Sequence, residues 1–235
     1  MIHLYQFTPL WNIPNASVYC MKTECFLKLS RIEYKTHNVL NPGKAPRGKL
    51  PFIKDSDAHQ TITDSSFIID YLKNKFGNKL DGDLSPEQQS LGICIQRLLE
   101  DHLNWLIIYD RWVDENGWKI IKHEFFGQLP FILKLFIPEL IRRNIVKTCH
   151  RHGISRYTDQ EREIMGKKDI DALTTFLGNK TFILKETPSS TDCIVWTFLT
   201  QILYTPIPSK LKDYVKTIPS LLEYDKRMKN EFYQA

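Results

Sequence analysis

No stretch of this 235-residue chain is both apolar enough and long enough to cross a bilayer as a helix, so the sequence excludes a helical membrane-spanning protein. Its first residues, Met1-Ile2-His3-Leu4-Tyr5, lack the charged lead and long apolar core of a secretory leader, and a cytoplasmic location is expected. Cysteine is sparse. Cys20, Cys25, Cys94, Cys149 and Cys193 are odd in number and scattered, without the repeated close spacing of a disulfide framework or a zinc site. Reduced thiols and no metal are the expectation, and Cys149-His150-Arg151-His152 reads as loop residues near a domain junction. A basic tract is missing too: 32 Lys and Arg against 27 Asp and Glu leave a net +5 spread along the chain. Its densest part, from Arg142-Arg143 to Arg151, reads as a helix end followed by a loop, so no nucleic acid partner is expected. There is no internal repeat and no low-complexity segment. What is present is 42% hydrophobic and 12% aromatic residues, enough to build the core of one large or two small domains.

The order of elements is informative. Residues 2–7 read as a strand, 8–16 as a Pro-containing loop and 17–30 as a helix. A second strand follows at 33–39. A turn-rich stretch holding Pro42-Gly43 and Pro46-Arg47-Gly48 leads into a hairpin of 52–53 and 61–62, and a helix over 64–76 closes the unit. After Gly77 comes the polar linker 81–87, in which Ser85 and Pro86 suit a helix cap and first turn. Beyond it, Leu91, Ile95, Leu98, Leu99, Leu103 and Leu106 keep helical spacing over one long helix, and further helical periods cover 160–177, 189–203 and 219–232. The expected fold is therefore a thioredoxin-like α/β domain at 1–78 joined to an all-helical domain at 86–235.

Two short stretches suggest a site. Lys49-Leu50-Pro51-Phe52-Ile53 puts a proline at the head of a strand, where it cannot donate to a sheet ladder and fits a tight turn with a cis Leu50–Pro51 bond. The backbone of Leu50 is then free for a ligand. Eleven residues on, Asp64-Ser65-Ser66 opens an apolar-periodic helix, whose unpaired N–H groups and positive dipole end suit a carboxylate, while Asp64 suits an ammonium. The plain alternative is that Pro51 maintains the fold and that Asp64 and Ser65 only cap a helix.

These residues resemble the glutathione-binding half of a glutathione transferase, in which the residue before a cis proline pairs with the cysteinyl unit and an acid-serine step holds the γ-glutamyl end. Three further stretches narrow the likeness. Pro14-Asn15-Ala16-Ser17-Val18-Tyr19-Cys20-Met21-Lys22-Thr23-Glu24 resembles the first helix start of the failed axon connections and metaxin-like branch. His152-Gly153-Ile154-Ser155-Arg156 with Leu173 to Lys180, Asp192 and Cys193 resembles that branch's helical domain, and 218–229 its last helix. The resemblance implies glutathione as substrate, held by Leu50, Pro51, Asp64 and Ser65, a small hydrophobic electrophile as second substrate, a role in detoxification, and a homodimer. It also implies an alternative, a non-catalytic binding or adaptor protein on the same fold.

Ser17 is the catalytic candidate, standing where the transferases carry a catalytic Ser or Cys. Holding a thiol of pKa about 8.5 as a thiolate of pKa about 6.5 takes about 2.7 kcal/mol. A helix N-terminus supplies about 0.3–1 kcal/mol and one hydrogen bond to a charged group about 1.5–3. The Ser17 hydroxyl and the backbone N–H groups beside it would supply the total jointly; the alternative is that Ser17 is only an N-cap. Cys20, one turn further in, reads as a buried, unreactive thiol. The 8–16 loop, with Trp11, Asn12 and Ile13, either covers the thiol pocket or walls a hydrophobic substrate site. Ser189-Ser190-Thr191-Asp192 reads as a capping box. The most apolar segment, 125–141, reads as a kinked core helix, or else as a substrate wall, a dimer surface or a peripheral membrane contact.

Overall fold

The computed structural model describes all 235 residues. Strand β1 (Ile2–Gln6) alternates strictly: Ile2, Leu4 and Gln6 are buried on one face, while His3 and Tyr5 lie on the other. Helix α1 (Val18–Leu29) carries the chain to β2 (Tyr34–Asn38), which pairs parallel to β1. A single 3-10 turn, Pro42–Lys44, follows where the next crossover begins. Strands β3 (Phe52–Asp55) and β4 (Gln60–Thr63) form the expected hairpin, β3 lies antiparallel to β1, and the four-stranded order is β2-β1-β3-β4. Helix α2 (Ser65–Phe76) closes the thioredoxin-like part.

The remainder is helical: α3 (Pro86–Arg97), α4 (Asn104–Trp112), α5 (Glu115–Phe126), α6 (Phe131–His152), α7 (Asp159–Leu177), α8 (Ser190–Leu203), α9 (Lys210–Val215) and α10 (Pro219–Gln234). Between α3 and α4 the helical path widens into a π turn, Leu98–Leu103, so the one long helix read from periodicity contains a shift of register. Glu100 lies within that turn and is buried, its carboxylate accepting from Lys22 Nζ of α1 at 2.6 Å. The Asp192 capping box forms as expected: its carboxylate accepts from the Ser189 N–H at 2.8 Å, from the Ile183 N–H at 2.9 Å and from the Tyr224 hydroxyl at 2.9 Å. A single cluster of 41 buried residues runs from Ile2 and Ile53 of the sheet through Phe26 of α1 to Trp196 of α8 and Phe232 of α10.

Three expectations are corrected. Residues 125–141 are not a core helix: Gly127 and Pro130 divide α5 from α6, and Phe131 and Phe136 stand 76% and 69% exposed at the tip of the hairpin so formed. Pro130 precedes the first helical residue, where a missing N–H costs nothing, and Pro138 is the one buried residue of the segment. Residues 142–151 hold no loop, since α6 runs unbroken to His152 and ends at Gly153 with φ of 106°. Cys149 to His152 accordingly form the last turn of that helix, with Cys149 buried and His152 stacked on Trp105 at 4.2 Å.

Candidate functional site

The 8–16 loop is built by local bonds. A Leu10–Ile13 turn places Trp11 and Asn12 in left-handed backbone at φ of 58° and 57°. Asn15 closes the loop, donating Nδ2 to the Phe7 carbonyl at 2.7 Å and accepting from the Ser17 N–H at 3.0 Å. The helical part then clamps it. Arg111 of α4 donates to the Ala16 carbonyl at 3.0 Å and to Gln201 Oε1 at 2.6 Å, and Gln201 Nε2 donates to the Asn15 carbonyl at 2.7 Å. Burial pulls the Arg111 guanidinium down to about 10, opposed by the nearby Asp110. Trp11 lies against this clamp and against Phe125, with centroids 5.6 Å apart, so it sits on the helical side of the loop.

Ser17 is the N-cap of α1, its hydroxyl accepting from the Cys20 N–H at 3.4 Å. Cys20 is fully buried and its thiol is pushed up to about 12, chiefly by burial, which agrees with a buried, unreactive thiol. Cys20 packs with Leu50, Ala45 and Phe52, and Phe7 covers that cluster. The Leu50–Pro51 bond is cis. Leu50 is 7% exposed, yet neither its N–H nor its C=O is engaged by another backbone group.

Asp64 caps α2, accepting from the Ser66 N–H at 2.9 Å, and it does so with φ of 74°, a left-handed backbone that a non-glycine residue adopts only when its surroundings impose it. Ser65 is 3% exposed; its N–H belongs to the free first turn of α2, and its hydroxyl makes no hydrogen bond within the chain. The first turns of α1 and α2 adjoin. Lys22 Nζ reaches the Ser66 hydroxyl at 3.4 Å, and Tyr19, whose hydroxyl accepts from Asn104 Nδ2 at 3.2 Å, is pushed up to about 12 by burial and then by the charges of Glu100, Asp101 and Asp64. Through Cys20, Tyr19 and Lys22, then, α1 borders both the Leu50 turn and the start of α2.

Sequence reasoning missed the groups that hold this arrangement. Lys22, Glu100, Gln96 and Ser66 form one network, with Gln96 donating to Ser66 Oγ and to Glu100, each at 2.9 Å. The signal was present: Lys22 follows Met21 inside an apolar helix, and Glu100 follows Leu98-Leu99. The network borders a polar cavity of about 350 Å³ between α2, α3 and α8 that touches neither Ser17, Leu50, Pro51 nor Asp64. Arg156 is exposed in a 3-10 turn after α6.

Comparison with known proteins decides the family. The model described as Glutathione S-transferase N-terminal domain matches residues 18–117, and that of the Glutathione S-transferase C-terminal domain matches residues 166–228. The chain is 36% identical, over 99% of its own length and 99% of the relative's, to an isoprene-epoxide–glutathione S-transferase of a Rhodococcus strain. It belongs to the glutathione transferase superfamily. It is 31% identical to failed axon connections of Drosophila melanogaster, over 99% of this chain and 58% of that protein, and 24% identical to mouse metaxin-1, over 99% and 75%. Among solved structures the transferase fold recurs in a Sphingobium beta-etherase, with TM-score 0.61, 15% identity and coverage of 100% and 99%. It recurs again in human glutathione-S-transferase T1-1, with TM-score 0.61, 17% identity and coverage of 99% and 84%.

Proposed function

We propose that the chain binds glutathione and conjugates it to a small hydrophobic electrophile. The observation that carries this reading is the pairing of two residues with unengaged polar groups, Leu50 and Ser65, on either side of the α1 N-terminus; backbone and hydroxyl groups without a partner in the chain are free to take one from a ligand. In this reading the cysteinyl unit pairs with the N–H and C=O of Leu50 beside Pro51. The γ-glutamyl carboxylate takes the Ser65 N–H and hydroxyl at the start of α2, and the ammonium pairs with Asp64. The sulfur then lies at the start of α1, where Ser17 donates its hydroxyl hydrogen to the thiolate. The thiolate attacks an electrophilic carbon and forms a C–S bond. The Rhodococcus relative supports an epoxide as electrophile, in which case a ring C–O bond breaks and the alkoxide takes a proton from water. The units 1–78 and 86–235 would act as glutathione-binding and electrophile-binding domains of a cytoplasmic, homodimeric detoxification enzyme.

Isothermal titration of the reduced protein with glutathione tests this. Binding between about −8 and −4 kcal/mol is expected, weakened more than about tenfold in Asp64→Ala, with Ser17→Ala retaining binding and losing conjugation of an epoxide. Full affinity in Asp64→Ala would remove the ammonium assignment. Absence of heat and of thermal stabilisation at millimolar glutathione would favour the second reading, an adaptor on the transferase fold, which the packing of Phe7 over the Leu50 cluster and the metaxin-1 and failed axon connections relatives support.

A further inference from the structure

The α5–α6 hairpin carries two features that the glutathione site does not use. The first is charge. Residues 115–152 hold seven Lys and Arg against Glu115, Glu124 and Glu139, a net +4 of the +5 carried by the whole chain. Two of the three carboxylates are already neutralised within the hairpin, Glu139 by Lys122 at 2.8 Å and Glu115 by Arg142 at 2.6 Å. Lys134, Arg143 and Lys147 are exposed and form no ion pair with any carboxylate of the chain.

The second feature is the tip. Phe131, Ile132, Leu133, Leu135, Phe136 and Leu140 are all exposed, Phe131 most of all. At about 100° per residue they fan over roughly 200° of the helix circumference rather than along one stripe. The segment 131–136 is about 9 Å long at 1.5 Å per residue, and Arg143 follows Phe136 by about 10 Å along the same helix. An apolar tip of that length backed by free cations matches the depth and charge order of an anionic bilayer's outer leaflet, whose acyl boundary lies about 5–10 Å below its headgroups.

We propose that this hairpin tip docks on an anionic lipid surface, with Phe131, Ile132 and Phe136 entering the acyl boundary and Lys134, Arg143 and Lys147 meeting the headgroups. A second copy of the chain fits less well, because pairing two tips brings together two hairpins of net +4. A flat protein partner covers one stripe of a helix and leaves the rest of the fan wet, whereas lipid solvates it on every side. The contact is peripheral, since no helix of the chain is long and apolar enough to cross a membrane.

Flotation of the full chain with vesicles tests the docking independently of glutathione. Binding is expected to vesicles of phosphatidylcholine containing roughly one third phosphatidylserine, to weaken with salt, and to be at least about tenfold weaker on phosphatidylcholine alone. Phe131→Asp with Phe136→Asp removes binding while leaving the thermal melt unchanged, because both side chains are exposed. Arg143→Glu with Lys147→Glu lowers binding to the anionic vesicles only. In Phe136→Trp the indole emission moves to shorter wavelength on adding those vesicles. No flotation on either composition, unaltered flotation of the aspartate variant, or a dimer in sedimentation that the aspartate variant dissociates would each overturn the proposal.

Discussion

Asp110 shows how a single residue's environment escapes a reading of the chain. Burial holds its carboxyl up at about 6, against the opposing effects of the Ser209 hydroxyl and of Arg162 and Arg111. A carboxylic acid whose folded pKa lies above its unfolded value binds its proton more tightly when folded. Its contribution to stability is therefore full below about pH 4 and lost as pH rises through about 6. Asp110→Asn is expected to gain stability relative to the parent chain as pH rises from about 4 to 8, by up to about 3 kcal/mol, read from urea unfolding at both pH values. An equal difference at the two pH values would remove the assignment. Residues with a local signature were legible: Pro51 heads a strand, Asp64 and Ser65 open a helix, and each stands where its type predicts. Asp110 and Arg111 were not, because a charge on a helix looks alike in sequence whether it ends in water or under another helix.

Elements were legible where the hydrophobic period was clean. The strands, α1, α2, α7, α8 and α10 fall within a few residues of their expected bounds, since alternation or helical spacing with caps such as Ser17, Asp64 and Ser189 specifies them locally. The π turn at Leu98–Leu103 was not, because a widened turn keeps apolar residues at roughly helical intervals. Nor was the exposure of 131–136, since hydrophobicity alone does not say whether a neighbour exists to cover it. The joint between α4 and α5 is a further case. Gly117 sits so close to α4 that a Cβ there would lie 1.7 Å from the Asp110 carbonyl oxygen, a backbone atom with no rotamer to move. At an unconstrained helix position alanine is favoured over glycine by about 1 kcal/mol. Gly117→Ala is expected to reverse that sign and cost about 1–3 kcal/mol or more by forcing α5 away from α4. A denaturation midpoint at or above that of the parent chain would show that the helices separate freely there.

At the scale of the whole molecule, the thioredoxin-like and helical parts are tied by shared groups rather than by surface contact. Phe26 and Cys25 of α1 lie in the same apolar cluster as Val195 and Phe198 of α8. Arg111 and Gln201 hold the 8–16 loop from the helical side, and Lys28 Nζ donates to the Phe232 carbonyl of α10 at 3.2 Å. The Lys22–Glu100 pair crosses the boundary with both side chains buried. Removing one partner of such a pair leaves the other charge buried without its counter-charge, whereas replacing both with apolar groups of similar size is often neutral. Lys22→Ala is accordingly expected to cost about 3–5 kcal/mol and Lys22→Met with Glu100→Leu much less. Because the pair belongs to both parts, the loss should move the whole chain together. Far-ultraviolet circular dichroism reports mainly the helices and near-ultraviolet signal the packed aromatics, and the two should unfold at one shared, lowered midpoint in Lys22→Ala. Two separated transitions, with the helical part melting at its parental midpoint, would mean that each part is stable alone and that the buried pair only positions α1 against the π turn.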